Sequence, residues 1–289
     1  MTEAVVLTSV MGALLVTGLV LTAWWGGRSY EPWAPADATA RPARTAALSY
    51  VRGVAVALIG GFWAGALVTG SAMRLTMRLL AVTAGPDAQG RRTEAEEVVG
   101  EIDLGGTIGL QIFGGILPGL LSGALYVLVR RWLPGGRLGG VVFGLLHLVV
   151  AATRVEPLRA DNPDFGIVGP GWLAALTFGL ASVAHGMAVV AIANRASAAI
   201  PPRAASRTRR VRAWSPLVPP VLLLIPGFFL FVPLAIGLAI AVLASRMDGV
   251  RGAARSRAAI TGGRLAFGAL ALVALPGTVA AVAEVVRSG

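Results

Sequence analysis

Residues 105–129 read GGTIGLQIFGGILPGLLSGALYVLV, a run without a single charged side chain, set between Glu101 and Asp103 on one side and Arg130 and Arg131 on the other. At about 1.5 Å of rise per residue such a run is roughly 37 Å long as a helix, enough to cross a hydrocarbon core of about 30 Å. Inside that core no water is at hand for a backbone N–H or C=O, so the segment must satisfy its own groups, and a helix does so.

The pattern recurs along the chain. Apolar runs at 4–25, 53–73, 138–153, 169–193 and 265–283 alternate with short charged stretches, so the expected fold is all-α, a polytopic transmembrane helix bundle with six spans. The run at 138–153 is short for a full crossing and is expected inside the bundle or with its flanking arginines snorkelling. A further apolar stretch, 217–244, is interrupted by Pro219, Pro220, Pro226, Gly227 and Pro233, and each proline removes a backbone donor. It is long for one crossing and short for two. Arginines crowd both of its flanks, so a short helical hairpin turning near Pro226-Gly227, with both ends on one side, is expected. The chain then divides into a five-helix membrane region over 1–194, a basic loop over 195–213 and a C-terminal membrane region over 214–289.

Composition points the same way. Apolar residues make up 56% of the chain and charged ones 13%, against about 25% charged in a soluble domain. The net charge of +11 raises the question of nucleic acid, but the arginines are parcelled out between apolar segments, and no basic helix, zinc pattern or aromatic-basic platform appears. All 25 basic residues are arginine, a bias expected of a GC-rich bacterial genome. Cysteine is absent, which removes disulfides, thiolate metal sites and thiol nucleophiles together. Ala36-Asp37-Ala38 loosely resembles a signal-peptide cleavage site, yet Glu3 rather than an arginine precedes the first apolar run, which is also too long for a signal sequence of about 7–15 apolar residues. It reads as an anchor that stays.

Arginine placement orients the bundle. Arg28, Arg41, Arg44 and Arg52 follow the first span, Arg130, Arg131 and Arg137 the third, and six arginines from Arg195 to Arg212 the fifth; the intervening loops carry Asp87, Glu94, Glu96, Glu97, Glu101 and Asp103, then Glu156, Asp161 and Asp164. By the positive-inside rule the basic loops face the cytoplasm of a bacterial plasma membrane, and the acidic loops and the N-terminus lie outside. The arginines from Arg195 to Arg212 are expected to lie against anionic lipid.

The run Arg74-Leu75-Thr76-Met77-Arg78, Gly106-Thr107 opening the third span, and Arg130-Arg131-Trp132-Leu133-Pro134 closing it together resemble uncharacterised polytopic membrane proteins of actinobacteria. The likeness covers residues 50–195. No activity is assigned to such proteins, so the resemblance implies a membrane location and no chemistry.

Few positions carry candidate function. Gly115, Gly119 and Gly123 recur every fourth residue, as do Gly140 and Gly144, and such faces let helix backbones pack closely; a glycine-lined path is the rival reading. Pro118 and Pro276-Gly277 interrupt spans, as broken helices do around transporter sites, although membrane helices also tolerate proline for packing alone. His147 and His185 are the only histidines; both fall within spans, at similar depths, where ionisable groups are costly and function is the first hypothesis. A neutral imidazole bonded to a carbonyl or to Ser122 is the plainer alternative. The pair is incomplete as a zinc site, while two histidines on neighbouring helices meet the axial-ligand requirement of a haem. Ser182 shares a helix face with His185, but no third group completes a nucleophilic triad. At the acidic side, Arg74 and Arg78 stand one turn apart and are expected to pair with Glu101, Asp103, Asp161 or Asp164, either as a staple or as a charged vestibule for an ion, a zwitterion or a lipid headgroup.

The leading expectation is a permease or translocation protein without catalytic residues, in which the vestibule and the histidines line one polar route. The alternative is a structural membrane subunit whose polar groups only lock helices together, with a membrane-protein partner or a second copy of itself.

Overall fold

The computed structural model describes residues 2–32, 42–200, 211, 213–224, 231–247 and 256–288. Among these the fold is all-α, with no strand and only a lone bridge between Arg92 and Val98. Five helices are long and apolar enough to cross a membrane: α1 (Thr2–Trp25), α2 (Ala43–Thr83), α3 (Leu104–Val129), α5 (Gly171–Ala199) and α8 (Arg257–Ser288). The sixth expected span is the shorter α4 (Gly136–Ala152). Between α5 and α8 lie two short helices, α6 (Val218–Leu224) and α7 (Phe231–Ala244). The expected turn at Pro226-Gly227 lies outside the described residues, as do Ala36-Asp37-Ala38 and the arginines at 203, 207, 209, 210 and 212.

Large apolar side chains cover the outside of the bundle, among them Leu121 at 74% and Val273 at 80% exposure. In water such a coat would drive aggregation; in lipid it costs nothing. Where the chain meets itself, glycine brings the backbones together. On α2, Gly61, Gly65 and Gly70 face Gly115, Gly119 and Gly123 of α3, so close that a Cβ at Gly115 would sit 2.7 Å from Gly70 Cα. A second seam joins Gly140 and Gly144 of α4 to Val183, Gly186 and Met187 of α5, where a Cβ at Gly144 would lie 2.7 Å from Val183 Cα.

Several boundaries differ from expectation: α2 starts at Ala43 rather than at 53, which takes Arg44 and Arg52 out of the loop and into the helix, and α8 runs from Arg257 to Ser288 rather than over 265–283. The second span, expected at 53–73, continues to Thr83, because 74–83 holds no helix breaker; it stops at Gly85, which has φ +85°, and Pro86. Arg74 and Arg78 therefore sit inside a helix rather than at its end. The fifth span runs on to Ala199, so Arg195 belongs to the last turns of α5 and not to a loop, its guanidinium 5.9 Å from the centre of the Trp25 ring.

At the basic end the residues after α1 close the bundle. Tyr126 OH donates to Asn194 Oδ1 (2.5 Å), Asn194 Nδ2 to Arg28 O (2.8 Å), and buried Arg52 to Glu31 O (2.9 Å) and Ser197 O (2.5 Å). The last helix starts at this end, where Phe267 packs on Trp132, and finishes at the acidic end, where Val285 meets Gly171. Glu3 accepts from Leu104 N there (3.1 Å), so the start of α1 and the end of α8 both lie at the acidic face.

The backbones of the consecutive helices α3 and α4 stand apart, since α3 packs on α2 and α4 on α5, and they meet through side chains, Tyr126 on Phe143 and Ser122 on His147. In the acidic half of the bundle this leaves a space bounded by all four.

Candidate functional site

That space is a cavity of about 590 Å³ that reaches from the acidic loops to the two histidines. Three π-helical turns surround it: Gly65–Thr69 in α2, Leu110–Ile116 in α3 and Leu148–Ala152 in α4. A π turn inserts an extra residue and frees a carbonyl, and such turns cluster at functional sites. The freed groups are partly taken up by side chains, as Ser71 Oγ (3.2 Å) and Gln111 Nε2 (2.5 Å) both donate to Ala66 O. In α3 the π turn ends at Ile116, two residues before Pro118, whose missing N–H and crowding ring disturb the regular ladder.

At the bottom of the cavity His147 of α4 and His185 of α5 stand edge to face, ring centres 5.2 Å apart. Both Nε2 atoms lie 2.9 Å from Ser122 Oγ, Ser122 Oγ lies 2.7 Å from Pro118 O, and Thr69 Oγ1 lies 2.5 Å from His185 Nδ1. A hydroxyl has one proton and two lone pairs. Ser122 donates that proton to the carbonyl, each histidine donates its Nε2–H to a lone pair, and Thr69 donates to His185 Nδ1. Every contact is then satisfied with both imidazoles neutral. His147 Nδ1 remains an acceptor without a partner among the described residues. Thr69 and His147, the two ends of the chain of bonds, both line the cavity, while the two Nε2–H groups converge on Ser122 Oγ. Among the described residues no group of three His, Asp or Glu side chains is placed to hold a metal ion.

The charged end is arranged differently from the expected pairing. Neither Arg74 nor Arg78 forms an ion pair with Glu101, Asp103, Asp161 or Asp164 among the described residues. Arg78 instead donates to Gly100 O (3.3 Å), Asp103 accepts from Gly106 N (2.8 Å) as the N-cap of α3, and Glu101 stays exposed. The arginine that gathers the acids is Arg159, bonded to Glu94 (2.5 Å), Asp161 (3.1 Å) and Glu156 (3.3 Å). Its Glu156–Arg159 spacing of three residues was the available signal, since it brings opposite charges together in a turn.

Of the expected site residues, Arg74, Asp164, His147 and His185 line the cavity; Arg78, Glu101, Asp103 and Asp161 lie outside its lining. Sequence reasoning missed Glu94, Glu97 and Glu156 as lining groups, and Thr69 as the partner of His185. Burial pushes the Glu156 and Asp164 carboxyls above their ordinary range, while the bonded carboxylates, Glu94 foremost, hold the Arg159 guanidinium more firmly protonated. Arg74 has no such support. Its Nε and Nη2 are buried without a hydrogen-bond partner among the described residues, with Asp103 and Glu97 the carboxylates close enough to act on it.

No protein-family model, curated protein or solved structure matches this chain. Its chemistry is therefore read from the site alone. The cavity has a cationic group with unfilled donors, several carboxylates and a histidine floor, and its walls of Met73, Met77, Leu80, Phe113 and Phe178 are apolar. Such a place suits a ligand that carries both signs of charge and an apolar part.

Proposed function

We propose that this chain is a multi-pass membrane protein of the permease or translocation type, taking a ligand from its acidic face to the His147–His185 pair. The observation that carries the reading is the single cavity joining Arg74, Glu97 and Asp164 to both histidines. By the distribution of arginine the acidic face is the outer one, in a bacterial plasma membrane, with the N-terminus outside. Arg195 and the arginines that follow it would then lie beside anionic cytoplasmic headgroups.

Buried Phe143, Val189, Tyr126 and Asn194 separate the histidines from the basic end, so translocation requires this packing to open on the other side. The same closed packing favours a second reading, a membrane subunit that binds a ligand or a partner without moving anything. The absence of cysteine allows a direct test by single-cysteine labelling in sealed vesicles. A Ser182→Cys variant reacts with an impermeant thiol reagent from the acidic face, and Val189→Cys reacts from the basic face if the protein alternates. An unreactive Val189→Cys beside a reactive Ser182→Cys removes translocation and leaves binding. If Ser182→Cys is also unreactive, the cavity is not a route from water.

A further inference from the structure

The cavity has a side mouth as well as its charged end. Phe113 lines it and is at the same time 71% exposed, so the wall is open at this ring, on the side where the backbones of α3 and α4 stand apart. Phe113 lies nine residues after Leu104 and Arg74 nine before Thr83, so each is roughly 13 Å from the acidic end of its helix. The mouth is thus level with the unpartnered guanidinium, and it faces what the apolar surface of α3, with Ile108, Leu117 and Leu121 exposed, marks as lipid. A ligand arriving this way keeps its apolar part in the hydrocarbon and puts only its polar end inside.

We propose, resting on the reading of the cavity as a ligand site, that the ligand is a zwitterionic phospholipid entering between α3 and α4, with its phosphate on Arg74 and its ammonium toward Glu97 and Asp164. Arginine presents a fork of N–H donors that matches phosphate oxygens; Arg74 lines the cavity, and a turn of its guanidinium toward the phosphate gives a partner to Nε and Nη2, which are enclosed without one among the described residues. The carboxylates repel a lipid with a net negative head and attract an ammonium, so the wall selects a zwitterion over an anionic phospholipid. A cavity of about 590 Å³ takes the head and the upper part of one chain, and the remaining chain lies along α3 outside.

The test uses the full chain in nanodiscs of mixed phosphatidylethanolamine and phosphatidylglycerol, with a photoreactive benzophenone side chain replacing Met77 inside the cavity or Leu121 on the lipid-facing side of α3. At position 77 the adducts are phosphatidylethanolamine, enriched at least fivefold over its share in the disc; at 121 they follow the disc composition. Arg74→Gln lowers the adduct at 77 about tenfold and leaves that at 121 unchanged. Gly109→Trp, at a glycine with open space around it, narrows the mouth and has the same effect without touching the charges, which keeps the test valid if Arg74→Gln does not fold. Adducts at 77 that are absent, unselective or indifferent to both substitutions overturn the proposal. The Ser182→Cys variant labelled in the same discs separates the two levels: reactivity without a lipid adduct rejects the phospholipid and keeps a water-soluble ligand, and loss of both rejects the cavity as a ligand site.

Discussion

Replacing Arg74 by methionine should stabilise the ligand-free protein. Its Nε and Nη2 are buried without partners among the described residues, and each buried donor left unsatisfied costs roughly 1–3 kcal/mol. Asp103 and Glu97 return part of that through space. Methionine has a similar reach, no donors to satisfy and no charge to desolvate, so Arg74→Met should gain about 1–3 kcal/mol, as replacements of poorly compensated buried charges do. Arg78 supplies the contrast. It donates to Gly100 O, and Arg78→Met should lose roughly 0.5–1.5 kcal/mol. The measurement is the unfolding free energy of delipidated protein in mixed micelles. On adding a ligand at about 100 times its dissociation constant, wild type gains roughly 2.7 kcal/mol and Arg74→Met gains almost nothing, so the variant's advantage shrinks by about that amount. If delipidated Arg74→Met is less stable than wild type, the guanidinium is structural and the argument fails.

Three further outcomes follow from the same geometry. Gly115→Ala pushes its Cβ to 2.7–2.8 Å from Gly70 and Gly65 and should cost about 1–3 kcal/mol by overpacking, whereas Gly268→Ala, with nothing within 4 Å, should cost nothing in the same unfolding assay; equal effects would mean that the α2–α3 seam is looser than described. Burial raises the folded-state pKa of Glu156 and Asp164 above their ordinary values of 4.5 and 3.8, so the folded state holds protons that the unfolded chain releases, and this contribution to stability is present at low pH and lost as pH rises through the raised values. Melting curves of wild type and of the Glu156→Gln, Asp164→Asn double variant should therefore diverge on acidification, with only wild type gaining from these groups; parallel curves would refute the burial. A reporter fused after Gly289 and active only outside the cytoplasm should be active, because α8 runs from the basic to the acidic end; a reporter active only in the cytoplasm would reverse the orientation.

The bundle was legible in the sequence because lipid imposes one rule at every position of a span. A run such as 105–129 has to be a helix wherever its neighbours go, and proline and glycine spacing marked the broken stretch that forms α6 and α7. Where helices ended was less legible: 74–83 continues α2 because nothing in it breaks a helix, although its two arginines looked like an interface. Lone histidines in apolar spans announced themselves by their cost, yet that they meet, and that Ser122 and Thr69 complete their hydrogen bonds, depends on which faces α2, α3, α4 and α5 turn toward one another. Charge pairing was the least legible part. Opposite charges on the same side of a membrane attract in any arrangement, and only the folded loops decide that Arg159 takes Glu94, Glu156 and Asp161, leaving Arg74 with buried and unfilled donors. The sequence alone determined that this chain lives in a membrane as helices, since backbone hydrogen bonding in hydrocarbon admits little else; the cavity, its side mouth and its unsatisfied guanidinium were decided by tertiary packing, since they exist only where α3 and α4, adjacent in the chain, pack on different neighbours and stand apart.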